Sequence, residues 1–392
     1  MKQILTGYIP KVADSRFPKP KDVKSILEIS AFPVYMGCTS AEIESDIHID
    51  MSWVVDGNTI RVLPILPPEI IYPFSHNDSI GELWSDHHKS FAKFITVHAV
   101  GREVYEIGGA HGLAYLNSRE FRKLNWTIHD INPIPVPEYN QRIIYGKFSR
   151  DTYKPSKNTQ TIAHSHTLEH VNDPIAFMYE IAMSQKIGDR QIISVPDMDV
   201  MLRRFDLNFL NFEHNYFLPE NLLNALFDSC GYRIIDFFNF KEHSKFYAIE
   251  KVSHEINISK FQKRPYFNLE LFEVYINAVK EYVLVINRLI EESELPSYVF
   301  GAHVFTQMLI GFGLKSNLLT GCIDNSSKKQ GLRLYGTSLR VSSAKEVFER
   351  HGKINIFGAV ANYTDEIDNG LQKWKNQINE KKWFLNRTFA KS

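Results

Sequence analysis

EVYEIGGAHG, residues 103–112, runs from an apolar, strand-like stretch into clustered glycines, and a helix-like stretch follows. Glycine is needed where a strand turns sharply into a helix, or where a Cβ would block the approach of a ligand to the backbone. Many strand–helix turns contain glycine, so the turn alone says little. It gains meaning from Asp130, eighteen residues beyond Gly112, at the end of the next apolar stretch WTIHDI. A carboxylate at that place can accept hydrogen bonds from both hydroxyls of a ribose. Turn and acid together predict a nucleoside-containing cofactor. An ordinary α/β turn is the plain alternative, and a nicotinamide dinucleotide satisfies the same two features.

Outward from this segment the chain alternates. VYEIGG, WTIHDI, QRIIYG, TQTIAHS, RQIISVP, YRIIDFF and KFYAIEK are strand candidates, with helix candidates at 113–124, 174–186 and 219–229 between them. Such alternation predicts a parallel sheet with crossover helices, and the last two segments read as its closing hairpin. Upstream, residues 1–100 form an irregular, β-containing lead-in. There IHIDMSWVV and TIRVLPI flank Asp56, Gly57 and Asn58, a hairpin signal, and a helix is expected from Ile80 to Val97. Downstream, 260–293 reads as a long amphipathic helix. SYVFGAH, LLTGCIDN and KINIFGAV then recur as strand-to-loop units of a second, smaller α/β domain from about 296. The expected division is 1–100, 101–258 and 259–392.

Composition narrows the class. With 44% hydrophobic and 23% charged residues the chain has the balance of a globular protein. Lys plus Arg equals Asp plus Glu at 45 each, which argues against a nucleic-acid partner held by phosphate neutralisation. Cys38, Cys230 and Cys322 lie far apart and form no CxxC, so neither a disulfide framework nor a cysteine zinc cluster is expected. The N-terminal apolar run is too short for a signal peptide, and no segment reaches transmembrane length. The reading is a cytoplasmic protein with no membrane contact and with its oligomeric state left open.

Further along, TIAHSHTLEHVNDP follows the fourth strand, and a helix ending at Cys230-Gly231-Tyr232 leads into the sixth. Here the sequence resembles the class I S-adenosylmethionine-dependent methyltransferases. The matching motifs are the acidic, glycine-rich turn Glu106 to Gly112, the acid Asp130, and Leu168-Glu169-His170 with Pro174. Ala110 stands where the family has its middle glycine, beside Gly109. FEHNYF (212–217) and the C-terminal elements Gly301-Ala302, Asp324 with Lys329 and Gly331, and Gly336-Thr337 resemble those of bacterial nucleotide-sugar C-methyltransferases. Together the similarity runs from about 72 to 365. Those enzymes usually begin with a cysteine zinc module, whereas this chain has only Cys38 there.

The resemblance implies a class I methyltransferase Rossmann-like sheet between an irregular N-terminal region and a smaller C-terminal Rossmann-like domain. It implies S-adenosylmethionine as cofactor, held by Glu106, Gly108, Gly109, His111, Gly112, Asp130, Ser165 and His166. It implies a small-molecule acceptor, a keto nucleotide sugar, methylated at carbon. That chemistry needs a base for a carbon-bound proton, and histidine has a suitable pKa. His214 beside Glu213 is the leading base, with His170 second as enolate stabiliser or alternative base. Tyr72 and His76 match the family's substrate-side segment. His129, His243, His87 and His88 read as hydrogen-bonded structural residues, and His164 as a further candidate after strand four. His166 and His170 are four apart, yet no metal is expected there, because Glu169 belongs to the LEH motif. Lys329 reads equally as a solvated charge or as a contact to a diphosphate. The rival readings are O-methylation of a sugar or other small metabolite, and a non-catalytic scaffold that keeps the fold.

Overall fold

The computed structural model describes residues 23–57, 59–71, 81–121, 123–134, 142–153, 160–257 and 266–384. Its centre is a seven-stranded sheet of β5 (Glu103–Ile107), β6 (Asn125–Asp130), β7 (Arg142–Tyr145), β8 (Thr161–Ser165), β9 (Arg190–Pro196), β10 (Tyr232–Phe240) and β11 (Ser244–Lys251). All seven strand segments expected from the sequence are present. Their spatial order is β7-β6-β5-β8-β9-β11-β10. Strands β5 to β9 run parallel, and β11 lies antiparallel between β9 and β10. The chain therefore builds outward from β5 to β7 and returns to β8 on the other side of β5. Ligands bind at such a reversal, beyond the carboxyl ends of the two strands.

The inner strands are apolar because helices cover both faces. Ile162 and Ala163 of β8 and Ile192 and Ile193 of β9 are completely buried. Among the helices, α2 (Glu82–His98) turns His87, Phe91, Ala92 and Ile95 inward at helical spacing. The expected helix at 113–124 stops early, as α3 (Leu113–Ser118). The helix α4 (Pro174–Ser184) starts where it does because Pro174 sits in its first turn and the Asp173 carboxylate accepts from the Ile175 and Ala176 amides, at 3.0 and 2.9 Å. The last helix on this sheet, α6 (Glu220–Ser229), follows the short α5 (Met198–Arg204).

The N-terminal region departs from the expected irregular lead-in. The hairpin of β3 (His48–Asp56) and β4 (Thr59–Leu63) is as read, with Gly57 at φ +61°, but β1 (Lys24–Pro33) pairs with β3 to complete a three-stranded antiparallel sheet. The reason β1 escaped is physical. Its register shifts between Ser25 and Leu27 and again between Ile29 and Phe32, and Ala31 lies at φ +50°, so the two-residue alternation that marks a strand is broken twice. Strand β4 continues into the cis peptide Leu63–Pro64 and the single helical turn α1 (Pro68–Ile71).

A second sheet follows α7 (Leu269–Glu291). Asn268 caps that helix by accepting from Leu271 N at 3.0 Å, and Phe272, Tyr275, Ile276, Val279, Val283 and Ile286 form its buried stripe. The sheet contains β12 (Ser297–Phe300), β13 (Gly321–Ile323), β15 (Val341–Ser342), β16 (Ile354–Gly358) and β17 (Ile378–Trp383). They are all parallel, in the order β15-β13-β12-β16-β17. The helices α8 (Val304–Gly311), α9 (Ala344–Arg350) and α10 (Thr364–Leu371) lie between these strands in the chain. This is the expected second, smaller α/β unit. Among the described residues, no helix is long and apolar enough to cross a membrane.

The N-terminal region is fastened to this second unit. Strand β2 (Cys38–Thr39) pairs with β14 (Arg333–Leu334). Beside it the Arg333 guanidinium grips Asp46 with both ends, Nη1 to Oδ2 at 2.6 Å and Nη2 to Oδ1 at 2.8 Å, and Gly336 N adds a bond of 2.8 Å to Oδ2. Both side chains are almost wholly shielded. Removing one member of a buried pair strands the other charge and costs about 3–5 kcal/mol. Asp46→Ala should therefore lower the unfolding free energy measured by denaturant titration by an amount of that order, with a smaller loss for Asp46→Asn.

Candidate functional site

The reversal between β5 and β8 brings together the two loops that the sequence singles out. After β5, Gly108 adopts φ +74° and Gly112 φ +62°, the latter capping α3. Side chains are excluded here by space as well as by conformation. A Cβ on Gly108 would stand 2.3 Å from Thr167 Oγ1, and one on Gly109 would stand 2.8 Å from Cδ of Glu106. Glu106 itself lies buried under the turn, where its Oε2 accepts from Trp126 Nε1 at 2.7 Å. Burial pushes its carboxyl up to about 8, partly offset by the Trp126 bond. Glu106 thus supports the turn from below. At the tip of β6, Asp130 accepts from Ala110 N at 3.0 Å and from Asn132 N at 2.7 Å, which seats its carboxylate against the glycine turn.

After β8, Ser165 ends the strand and His166 turns the chain at φ +47°. His166 Nε2 lies 2.9 Å from Ser244 Oγ, and burial pulls this imidazole down to about 3. Its Nδ1 comes within 3.2 Å of Glu169 Oε1. Next in the chain, Glu169 is fully buried and its carboxyl is pushed up to about 7 by that burial, with His170 opposing. His170 is more open, its side chain 22% exposed.

The loop bearing Glu213 and His214 joins this set. Ring centroids of His170 and His214 are 5.0 Å apart, and His170 Nδ1 is 3.9 Å from Glu213 Oε2. Burial holds His214 well below the usual histidine range, so it is neutral, and it is only 3% exposed. The sequence reading ranked His214 before His170, whereas His170 is the member of the pair that faces the open side. The sequence reading also missed Asn215, which ties the two loops together. Its backbone N donates to Glu169 O at 2.9 Å, and its side-chain amide donates to His170 O at 2.8 Å. An asparagine directly after Glu213-His214 was the signal available.

The remaining candidates sort plainly. His129, His243 and His87 have the hydrogen-bonded places expected of structural residues, on Tyr105 OH, Ser244 Oγ and Ser194 Oγ at 2.8, 2.7 and 2.9 Å. His164 is buried inside β8, with Gln191 as its neighbour at 3.4 Å, away from the loops. His111 lies in the glycine turn, close enough to His88 to disfavour its charge. Tyr72 and His76 lie outside the described residues. In the second sheet, Ala302 N donates to Asp324 Oδ2 at 2.9 Å and Ser326 N to Asp324 Oδ1 at 2.9 Å, the same arrangement as Ala110, Asn132 and Asp130. Lys329 Nζ bonds Asp324 Oδ2 at 3.1 Å, with its side chain 26% exposed.

No protein-family model and no curated protein matches the chain. Among solved structures, it is similar to the mitomycin 7-O-methyltransferase MmcR, at 15% identity and TM-score 0.33 over 42% of this chain and 54% of that one. It is similar to an O-methyltransferase family protein from Burkholderia thailandensis, at 14% identity and TM-score 0.34 over 44% and 57%. It is also similar to the plantazolicin methyltransferase BpumL in complex with S-adenosylhomocysteine, at 8% identity and TM-score 0.32 over 44% and 84%. The chain thus spans little more than half the length of the first two.

The buried carboxyls give the fold a pH signature of definite sign. The folded chain keeps a proton on Glu106 up to about pH 8, whereas the unfolded chain releases it near 4.5. The native state therefore binds more protons in that window, and stability falls as pH rises through it. Glu169 adds a fall of the same sign, ending near pH 7. Buried, neutral imidazoles such as His166 and His214 act with the opposite sign below about pH 6.5, so the decline in thermal unfolding midpoint should show from pH 7 to pH 8. Glu106→Gln, which keeps an acceptor for Trp126, should flatten that decline.

Proposed function

We propose that the chain is an S-adenosylmethionine-dependent methyltransferase acting on a small polar acceptor, a keto nucleotide sugar methylated at the carbon beside its ketone. The observation that carries the reading is the pairing at the β5/β8 reversal, where a left-handed glycine turn is bonded to the second-strand acid Asp130. Two loops rich in histidine and carboxylate stand next to it. Asp130 suits a ribose because an ionised carboxylate has about four lone-pair sites and backbone N–H groups take only two. The glycine turn, with the amides of Gly108, Ala110 and Gly112 held by His129 O, Asp130 Oδ2 and Gly109 O, forms one lip for the amino-acid end of the donor, and Ser165 and His166 form the opposite lip.

The bound donor supplies an electrophilic methyl on sulfur. The protein's task is to hold the acceptor in line with it and to remove one proton. The electron pair left on carbon attacks the methyl, the sulfur–methyl bond breaks, and sulfur leaves as a neutral thioether. We assign proton removal to the cluster of Glu213, His214 and His170. The buried, neutral imidazole of His214, beside Glu213 and His170, can accept a proton, and the Asn215 bonds keep the two loops in place. Tyr72 and His76 are proposed on the acceptor side. The second reversal, at Gly301 and Gly358 with Asp324 and Lys329, is proposed to hold the nucleotide of the acceptor. Its layout repeats that of the first.

Two experiments test this. Losing a charged hydrogen bond costs roughly 1.5–3 kcal/mol, so Asp130→Ala should weaken S-adenosylhomocysteine binding on the order of tenfold to a hundredfold by calorimetry. Asp130→Asn keeps an acceptor for Ala110 N and isolates the charge. Unchanged affinity in a folded Asp130→Ala chain would overturn the donor site. With keto nucleotide sugars as acceptors, turnover in deuterated solvent should exchange the α-hydrogen, and His214→Ala should lose about 10²–10⁴ in rate while still binding the donor product. A product whose new methyl proton signal is that of an ether would move the chemistry from carbon to oxygen.

A further inference from the structure

We propose that Glu169, His170 and His214 form a binding site for one divalent transition-metal ion. One ligand atom from each lies within 4.8 Å of the other two, and Glu169 Oε1 is 3.8 Å from His170 Nε2. Nitrogen and oxygen ligands about 2.0–2.1 Å from a tetrahedral ion stand roughly 3.3 Å from each other, so small side-chain rotations close the set.

What points to a cation is the state of the donors. Glu169 is 0% exposed, and neither carboxylate oxygen has a hydrogen-bond partner among the described residues. Its neighbours are the imidazoles of His166 and His170, at 3.2 and 3.8 Å from Oε1, and a buried carboxylate so placed takes up either a proton or a positive charge. Nδ1 of buried His214 also lacks a hydrogen-bond partner among them. An imidazole nitrogen so placed has a lone pair to offer a cation. Around the three stand the outer groups a metal centre needs. His166 Nδ1, 3.2 Å from Glu169 Oε1, is placed to orient the carboxylate, and Glu213 brings a second carboxylate within 3.9 Å of His170 Nδ1. The loops are pinned beforehand, because Asn215 bonds the backbone of both Glu169 and His170.

Two imidazoles and a carboxylate suit zinc, cobalt, manganese or iron, and do not suit calcium or magnesium. This departs from the expectation of a metal-free chain. The site deepens the methyltransferase reading, and only its catalytic consequence rests on that reading. With an ion bound, the lone pairs of His170 and His214 would be engaged, Glu213 would remain to accept the proton, and the ion would supply Lewis-acid stabilisation of the acceptor oxygen.

The test is metal binding to the full chain, independent of turnover. After treatment with a chelator and dialysis, calorimetry with Zn²⁺ should show one strong equivalent. Glu169→Gln and His214→Ala should each weaken it by at least about tenfold. Electron paramagnetic resonance of the wild type loaded with one equivalent of Cu²⁺ should show coupling to two imidazole nitrogens, which decides the matter should either variant fail to fold. Absence of a strong equivalent in the wild type, unaltered Zn²⁺ affinity in both folded variants, or a Cu²⁺ spectrum without imidazole coupling would each overturn the proposal. S-adenosylhomocysteine binding by the metal-free wild type is measured alongside. Retained donor binding without metal binding sinks the cation site alone, and the converse sinks the methyltransferase reading alone.

Discussion

The candidate site depends on how one asparagine is bonded. Asn215 gives its backbone N–H to Glu169 O and its side-chain amide to His170 O, and its own carbonyl accepts from Val62 N at 3.2 Å. Three segments far apart in the chain meet there: the edge of the N-terminal sheet, the loop after β8, and the loop that carries Glu213 and His214. Phe217 N adds a bond to Ile60 O at 3.1 Å, so the last loop lies along β4 almost as another strand. Loops of a Rossmann-like sheet are ordinarily its most mobile parts. Here two of them are braced by the backbone of a separate sheet, which keeps buried, charge-bearing side chains from reaching water.

The N-terminal region therefore has a mechanical role that needs no cysteine module. It holds the loop after α5 on one side and the second α/β unit on the other. The second attachment runs through Asp46 and Arg333, through β2 and β14, and through Gln307, whose amide lies 2.9 Å from the carbonyls of Tyr35 and Tyr335. Cys38 contributes as a partly buried thiol facing Ala302 O, and burial pushes it up to about 12, far from the thiolate a metal would require.

Much of the first sheet was legible because parallel strands buried on both faces are written as near-continuous apolar runs, as in RQIISVP, while TQTIAHS, with only Ile162 and Ala163 apolar, was legible from its place in the alternation. The glycine turn and Asp130 were legible for a related reason. Close backbone packing, here of Gly108 against Thr167, admits few residue types. Strand β1 was not legible, because its two register shifts destroy the period on which recognition depends. The grouping of Glu169 with His170 and His214 was hidden for another reason. Its members come from two loops, and only the folded chain shows that the Glu169 carboxylate is buried with imidazoles as its close neighbours. Sequence favoured His214 over His170 by its neighbours. Burial, which depends on packing from the N-terminal sheet, reversed their accessibility.

The helix α7 grips both units through hydroxyls. Tyr275 OH donates to Asp206 O at 3.1 Å in the first, while Tyr282 OH lies 2.8 Å from the carbonyls of Gly358 and Lys382 in the second. These tyrosines are seven residues apart, close to two full turns, so they share one face. A one-residue insertion between them would swing the second hydroxyl by about 100° and lift it off its carbonyls, whereas a seven-residue insertion would preserve the facing but lengthen the spacer by about 10 Å. The length of this segment is thus quantised as well as its composition. Homologous chains should vary freely in their loops yet show no single-residue gaps between these two positions.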